Sequence, residues 1–187
     1  GIAPVAVIAF LEQAALDRLL LKRSVKHGQF MLASGRTSDF YIDCRLTTMS
    51  AEGQVLIGRL GLEAIRAQGW KPRSVGGLTM GADPVAYAVA AASVPEPPIV
   101  DAFSVRKESK TYGAGRRVEG NFSTGDSVVV VEDVITTGGS ALKAIAAVRE
   151  EGGSVLGILA VVDREEGGRT ELEAQGYEVA VPTTSTR

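Results

Sequence analysis

Residues 128–140 read VVVVEDVITTGGS, and few folds can hold that order. Four consecutive valines make an apolar run too short for a helix and rich in β-branched residues, the pattern of a strand buried on both faces of a parallel sheet. The run ends in polar chemistry: Glu132 and Asp133 where the strand is expected to stop, the hydroxyls of Thr136 and Thr137, then Gly138 and Gly139 before an alanine-rich helix opening near Ser140. Glycines let a backbone approach a ligand closely, and a helix N-terminus presents unpaired N–H groups and the positive end of a dipole. Strand, turn and helix in this order therefore build an anion cradle. Two carboxylates repel a phosphate; beside a cradle they suit hydroxyl groups, a metal ion or both. Plain turn chemistry is the alternative, because strand, Gly-rich turn and helix also occur in α/β domains that bind no phosphate.

The spacing matches neither a P-loop, which needs Gly-Lys-Ser/Thr, nor the GxGxxG fingerprint. Four apolar residues, Glu-Asp, two residues and Thr-Thr-Gly-Gly resemble the 5-phosphoribosyl-1-pyrophosphate (PRPP) signature of the type I phosphoribosyltransferases. The resemblance implies that Glu132 and Asp133 reach the ribose hydroxyls. It also implies that Val134, Ile135, Thr136, Thr137, Gly138, Gly139 and Ser140 hold the 5′-phosphate.

Bulk properties agree with a compact enzyme. The 187 residues suit one domain, 45% of them are hydrophobic and 22% charged, and the net charge of −2 gives no global pull toward nucleic acid or an anionic membrane. No apolar run approaches the roughly 20 residues of a membrane span, and the opening run is broken by Pro4 and lacks a basic leader, so a cytoplasmic protein is expected. Cys44 is the only cysteine, which excludes an internal disulfide. With His27 as the only histidine, it makes no metal or nucleophile set and reads as structural.

In chain order, apolar residues recur at helical spacing over residues 5–25, with His27 and Gly28 as the expected stop and His27 serving the end carbonyls. Residues 30–45, FMLASGRTSDFYIDCR, predict a hairpin around a polar turn. Ser-Gly-Arg-x-Ser followed by Asp-Phe-Tyr resembles the N-terminal hood of the orotate phosphoribosyltransferases, which implies that Tyr41 and Ile42 contact the flat pyrimidine. Ala33 stands where many of these enzymes carry lysine. Ser50 is the expected N-cap of a helix over residues 51–68. A second strand, turn and helix follow at residues 74–78, 79–83 and from Pro84 to about residue 92. In the resembled family this turn meets pyrophosphate, which implicates Thr79 and Met80, the latter in a place often held by lysine.

After a strand over residues 99–105, residues 106–117 carry five basic residues and two glycines and almost nothing apolar. Such a stretch cannot bury itself and predicts a surface loop; a solvated charged loop is the simpler reading, and closure over a polyanion the sharper one. Arg106, Lys107 and Lys110 resemble the Arg-Lys-x-x-Lys-x-His-Gly catalytic loop of the orotate enzymes, with Tyr112 in the histidine's place. Beyond the central motif come a helix over residues 141–151, a strand over residues 155–162 ending in Asp163-Arg164, a short helix within residues 167–176 and an edge strand over residues 177–181. Arg164 falls on the ligand edge of an open parallel sheet, and its planar fork suits a carboxylate such as that of orotate.

Alternating strands and helices imply an α/β fold, a mostly parallel sheet flanked by helices, in a single domain over residues 1–187 whose first 45 residues add a helix and a hood. The resemblance spans residues 30–164 in three separate stretches. It implies transfer of the phosphoribosyl group from PRPP to orotate, giving orotidine 5′-monophosphate and pyrophosphate in UMP (pyrimidine) synthesis. Lys107, Lys110, Arg106 and Asp133 would be the catalytic residues, and Tyr112 would join the PRPP contacts. Thr136 and Arg164, with Tyr41 and Ile42, would bind orotate. Mg²⁺ would enter mainly through PRPP, with Asp133 reaching it through water, and a homodimer would share its sites. Two alternatives stand beside this: a phosphoribosyltransferase for another base, and a PRPP-sensing regulator that binds nucleic acid. The absence of a helix-turn-helix or a basic face speaks against the second.

Overall fold

The computed structural model describes residues 4–32, 34–110 and 115–182. Ala33 and Tyr112, two of the three departures from the resembled pattern, lie outside them. The elements run α1 (Pro4–Arg23), β1 (Val25–Met31), β2 (Thr37–Ile42), α2 (Arg45–Thr48), α3 (Ala51–Ala67), β3 (Ser74–Leu78), α4 (Ala82–Ser93), β4 (Asp101–Val105), β5 (Val118–Gly120), β6 (Ser127–Ile135), α5 (Gly139–Glu150), β7 (Ser154–Asp163), α6 (Gly168–Ala174) and β8 (Val179–Ala180).

Six strands form one sheet in the order β5-β4-β3-β6-β7-β8, parallel throughout except for β5, which runs antiparallel to β4. The four valines of β6 lie at its centre with no exposed surface. Because successive strand residues face opposite ways, Val129 and Val131 join the core under α1, α3 and α4, while Val128 and Val130 join the core under α5 and α6. Each such burial is worth about 1.5–3 kcal/mol, which anchors the strand that carries the acidic pair.

The strand runs further than expected. Glu132 and Asp133 lie inside β6, because its pairing with β7 continues to Ile135 opposite Asp163. The hairpin forms a separate two-stranded sheet, β1 against β2, and is mostly exposed. The expected helix stop at His27-Gly28 is corrected: α1 ends at Arg23 and both residues belong to β1. The cause is tertiary. Buried Ser24 receives the Asp43 N–H on its carbonyl at 2.9 Å and its hydroxyl meets that of Thr47 at 2.6 Å, which turns the chain, and His27 then pairs with Phe40 across the hairpin. Ser50 caps α3 as expected, its Oγ accepting from Gly53 N–H at 3.0 Å. The short α2 and the three-residue β5 were not legible. β5 exists only because β4 offers it a ladder.

Candidate active site

Alternation along β6 decides how the two carboxylates are used. Glu132 shares the face of Val128 and Val130 and lines a small recess of about 50 Å³ formed with residues 134–141. Asp133 takes the other face, toward the turn before α4, where a Cβ placed on Gly81 would lie 2.9 Å from Oδ1 of Asp133. The pair therefore brackets the end of the strand, one carboxylate toward each loop. Glu132 is 6% exposed, and its Oε1 has no hydrogen-bond partner among the described residues. Burial, with the adjacent Asp133 charge, pushes its carboxyl up to about 8. Burial also raises Asp133, opposed by the Val134 N–H, which donates to Oδ1 at 2.8 Å, and by the charge of Arg45. A desolvated acceptor without a partner, as Glu132 Oε1 is, suits a ribose hydroxyl donor.

The recess beside Glu132 is built by glycine. Gly138 has φ +88°, a left-handed conformation that an L side chain resists, and its carbonyl accepts from Leu142 N–H in the first turn of α5. Gly168, opening α6, donates its N–H to Thr136 O at 3.0 Å; a Cβ there would come within 2.5 Å of that same oxygen. Thr136, Thr137, Gly138, Gly139 and Ser140 thus surround the N-terminus of a twelve-residue helix, a site for an anion.

On the Asp133 side, the turn from Thr79 to α4 is braced by Asp83. Its Oδ2 accepts from the Thr79 hydroxyl at 2.6 Å and its Oδ1 from the Ser104 hydroxyl at 2.8 Å, while Thr79 N–H donates to Val105 O at 2.9 Å. Met80 is 55% exposed. Asp83 was missed by sequence reasoning; an acidic residue in the first turn of a helix was the available signal.

Arg164 follows β7, held by its N–H donating to Ile135 O at 3.0 Å, so it stands beside the end of β6. Its guanidinium lies 5.4 Å from the Phe40 ring centroid and 3.9 Å from Glu166. Phe40 and Ile42, on one face of β2, line a cavity of about 560 Å³ together with Leu20, His27, Asp163 and Arg164. Tyr41 points the other way, half-exposed, its ring 5.7 Å from that of Phe30. The hood therefore offers Ile42 and Tyr41 to different sides, and Phe40, which sequence reasoning passed over, meets Arg164.

Between the hood and α3 the chain places a further cation. Arg45 donates to Asp43 Oδ1 from both N and Nε at 3.1 Å. The Asp43 hydrogen bond and charge, with smaller contributions from Tyr41 and Asp133, hold Arg45 in its charged form. Buried Cys44 has its thiol pushed up to about 12 by desolvation and by the charges of Asp133 and Asp43, against Arg164, which disfavours the thiolate.

The cationic loop begins on a built stem. Arg106 N–H donates to Arg117 O at 2.7 Å, the Arg117 guanidinium donates to the carbonyls of Arg106 and Lys107, and Glu151 accepts from Arg117 and Val118 N–H. Arg106 and Lys110 both pair with Glu119 Oε1, at 3.2 and 2.7 Å. Lys107 is exposed and makes no ion pair among the described residues. In this arrangement two of the three loop cations rest on β5, at the edge of the sheet, rather than on the acidic pair.

Residues 52–180 match the phosphoribosyl transferase domain family. The orotate phosphoribosyltransferase of Aquifex aeolicus is 47% identical over 89% of this chain and 91% of its own. Among solved structures, that of Mycobacterium tuberculosis orotate phosphoribosyltransferase with Fe(III) dicitrate superposes with a TM-score of 0.84 at 44% identity, covering 92% of this chain and 95% of that one. A second structure of the same enzyme, in complex with PRPP, has a TM-score of 0.79 at 40% identity over the same shares. An anion cradle beside two bracketing carboxylates, an arginine under an aromatic hood and these likenesses over nine-tenths of the sequence agree, and the chain belongs to the orotate phosphoribosyltransferases.

Proposed function

We propose that this protein transfers the 5-phosphoribosyl group of PRPP to orotate, releasing pyrophosphate and forming orotidine 5′-monophosphate in UMP synthesis. The observation that carries the proposal is the end of β6. There, desolvated Glu132 and Asp133 flank a glycine-built helix N-terminus, with Arg164 one strand away. Residues 134–140 hold the 5′-phosphate on backbone N–H groups and hydroxyls, Glu132 and Asp133 take the ribose hydroxyls, and Thr79 and Met80 border the pyrophosphate. Arg164 and Thr136 orient orotate, with Ile42 and Phe40 lining the cavity beside Arg164 and Tyr41 on the opposite face of the hood.

Breaking the bond from ribose C1 to pyrophosphate leaves positive charge on the sugar and negative charge on the leaving group, so the residues must stabilise both. Arg106, Lys107, Lys110 and Tyr112 are assigned to the leaving group, and the Glu132 and Asp133 carboxylates to the sugar side. Holding C1 against the orotate nitrogen turns a collision into a positioned transfer, and anionic orotate needs no dedicated base. The described residues hold no group of three or more His, Cys, Asp or Glu side chains arranged for a metal. Mg²⁺ would enter mainly with PRPP, with Asp133 holding it through water, and it would supply charge neutralisation of the pyrophosphate.

No described helix is long and apolar enough to cross a membrane. We assign the enzyme to the cytoplasm, as one domain with an N-terminal hood, acting as a homodimer that binds neither nucleic acid nor membrane. Loss of the orotate ultraviolet absorbance on mixing protein, PRPP and Mg²⁺ tests the proposal. Turnover with orotate and none with adenine or hypoxanthine is the expected result; a flat orotate trace with turnover of a purine would overturn it.

A further inference from the structure

Thr79 opens the turn proposed to meet pyrophosphate, yet it has no donor left to offer. Its N–H continues the β3–β4 ladder by donating to Val105 O at 2.9 Å, and its hydroxyl donates to Asp83 Oδ2 at 2.6 Å. Ser104 on β4 donates to the other oxygen, Asp83 Oδ1, at 2.8 Å. An ionised carboxylate only accepts, so both hydroxyl protons are committed to it. Asp83 N–H closes the turn on Met80 O at 3.2 Å. The N–H groups of Met80 and Gly81, unbonded among the described residues, remain as free donors of the turn.

The charge of Asp83 does not serve an anion. A carboxylate in the first turn of α4 opposes a pyrophosphate at that helix end, so its value lies in what it holds. It ties the turn to β4. Gln54 ties the start of α4 to α2, donating from Nε2 to Pro84 O at 2.9 Å and to Thr48 O at 2.6 Å. On a third side the turn meets the acidic pair, where a Cβ on Gly81 would lie 2.9–3.0 Å from the Asp133 carboxyl atoms. Drift of the turn would change the spacing between its free donors and the ribose carboxylates, across which the breaking bond lies.

We propose that Asp83 is a positioning residue that clamps Thr79 and Ser104, so that the Met80 and Gly81 N–H groups stand at a fixed distance from Asp133. Thr79 then serves PRPP through this clamp rather than by touching it. Asp83 itself touches no reacting atom. The clamp rests on the proposed contact of this turn with pyrophosphate.

Kinetics of the reverse reaction, orotidine 5′-monophosphate plus pyrophosphate with Mg²⁺, separate the two ends of the site, because orotidine 5′-monophosphate carries ribose phosphate and base but no pyrophosphate. Thr79→Val and Ser104→Ala each remove one hydroxyl and are expected to raise the pyrophosphate KM by about three- to tenfold, with the orotidine 5′-monophosphate KM unchanged. Thr79→Ser restores the hydroxyl and should recover most of that loss. Asp83→Ala removes both acceptors and should raise the pyrophosphate KM by at least about tenfold. Adding Thr79→Val to it should cost less than about twofold more, since the hydroxyl then has nothing to hold. A Thr79→Val effect as large in the Asp83→Ala background as in wild type would place the hydroxyl on pyrophosphate and overturn the clamp. Equal rises in both KM values, the mark of a general loss of structure, would overturn it too. The contact of the turn with pyrophosphate is checked separately by methyl NMR of the wild type. Met80 is one of three methionines and is 55% exposed, and its methyl signal, assigned with Met80→Leu, should shift on adding pyrophosphate with Mg²⁺. A clamp overturned while Met80 shifts fails alone; an unmoved Met80 signal would overturn the pyrophosphate contact of the turn and the clamp with it.

Discussion

The cradle at the end of β6 and the hood-and-loop periphery are built by opposite means. The cradle comes from thirteen contiguous residues: four fully buried valines fix the strand, alternation sends Glu132 and Asp133 to opposite faces, and Gly138 turns the chain into α5. The periphery is assembled from distant segments. Phe40 meets Arg164 across the molecule, Arg45 pairs with Asp43, and the loop cations lean on Glu119. On the proposed function, the difference divides the work between the two regions. Anchoring a ribose phosphate needs rigid backbone and desolvated acceptors, whereas choosing a base and releasing pyrophosphate need parts that can exchange partners.

If the cradle is the rigid anchor, the largest effect should come from its acidic pair. Asp133→Asn keeps the shape and removes the charge facing the Gly81 turn, and kcat/KM for PRPP should fall by about 10²–10³-fold, the usual loss for a transition-state electrostatic contact. A fall below tenfold would place the electrostatic work in the periphery instead.

Glu132 supplies the next test, on stability rather than rate. Its folded carboxyl titrates near 8 against 4.5 for the free group, so the folded state holds the proton more tightly. Its contribution is full below about pH 4.5 and is lost as pH rises through about 8, on the order of a few kcal/mol. The ligand-free protein should therefore show a Tm that declines between pH 5 and 8, and Glu132→Gln should flatten that decline. Equal slopes for the two proteins would contradict the buried, unpartnered environment.

The smallest effect is a control outside both regions. Ser50→Ala removes the side-chain cap of α3 and should cost about 1 kcal/mol of stability with kinetics unchanged, checked by denaturant unfolding beside the orotate assay. A change in either KM would tie α3 to the site more closely than its packing suggests.

The same contrast explains what was legible in the sequence. The cradle was readable because each step is local: β-branched run, acidic pair, glycine turn, helix. Ser50 was readable for the same reason, as was the placement of Arg164 at the sheet edge. What escaped depends on partners far along the chain. His27 looked like a helix end until Ser24 and the β1–β2 ladder pulled it into a strand. Asp83 looked like an ordinary first-turn acid, yet it ties the Thr79 turn to β4. β5 is three residues long and carries no periodicity, so Glu119 could not be singled out. Phe40 was passed over for Tyr41 because spacing alone does not say which face of a hairpin turns toward Arg164.

The most direct measurement is calorimetric titration of wild type and Arg164→Ala, each with PRPP and Mg²⁺ and then with orotate. The account predicts that the variant binds PRPP within about twofold of wild type, because the cradle is untouched, and loses at least about tenfold in orotate affinity, the scale of one charge-assisted bidentate pair. PRPP affinity falling as far as orotate affinity, or orotate binding left intact, would contradict the division between a cradle that anchors the ribose phosphate and a periphery that selects the base.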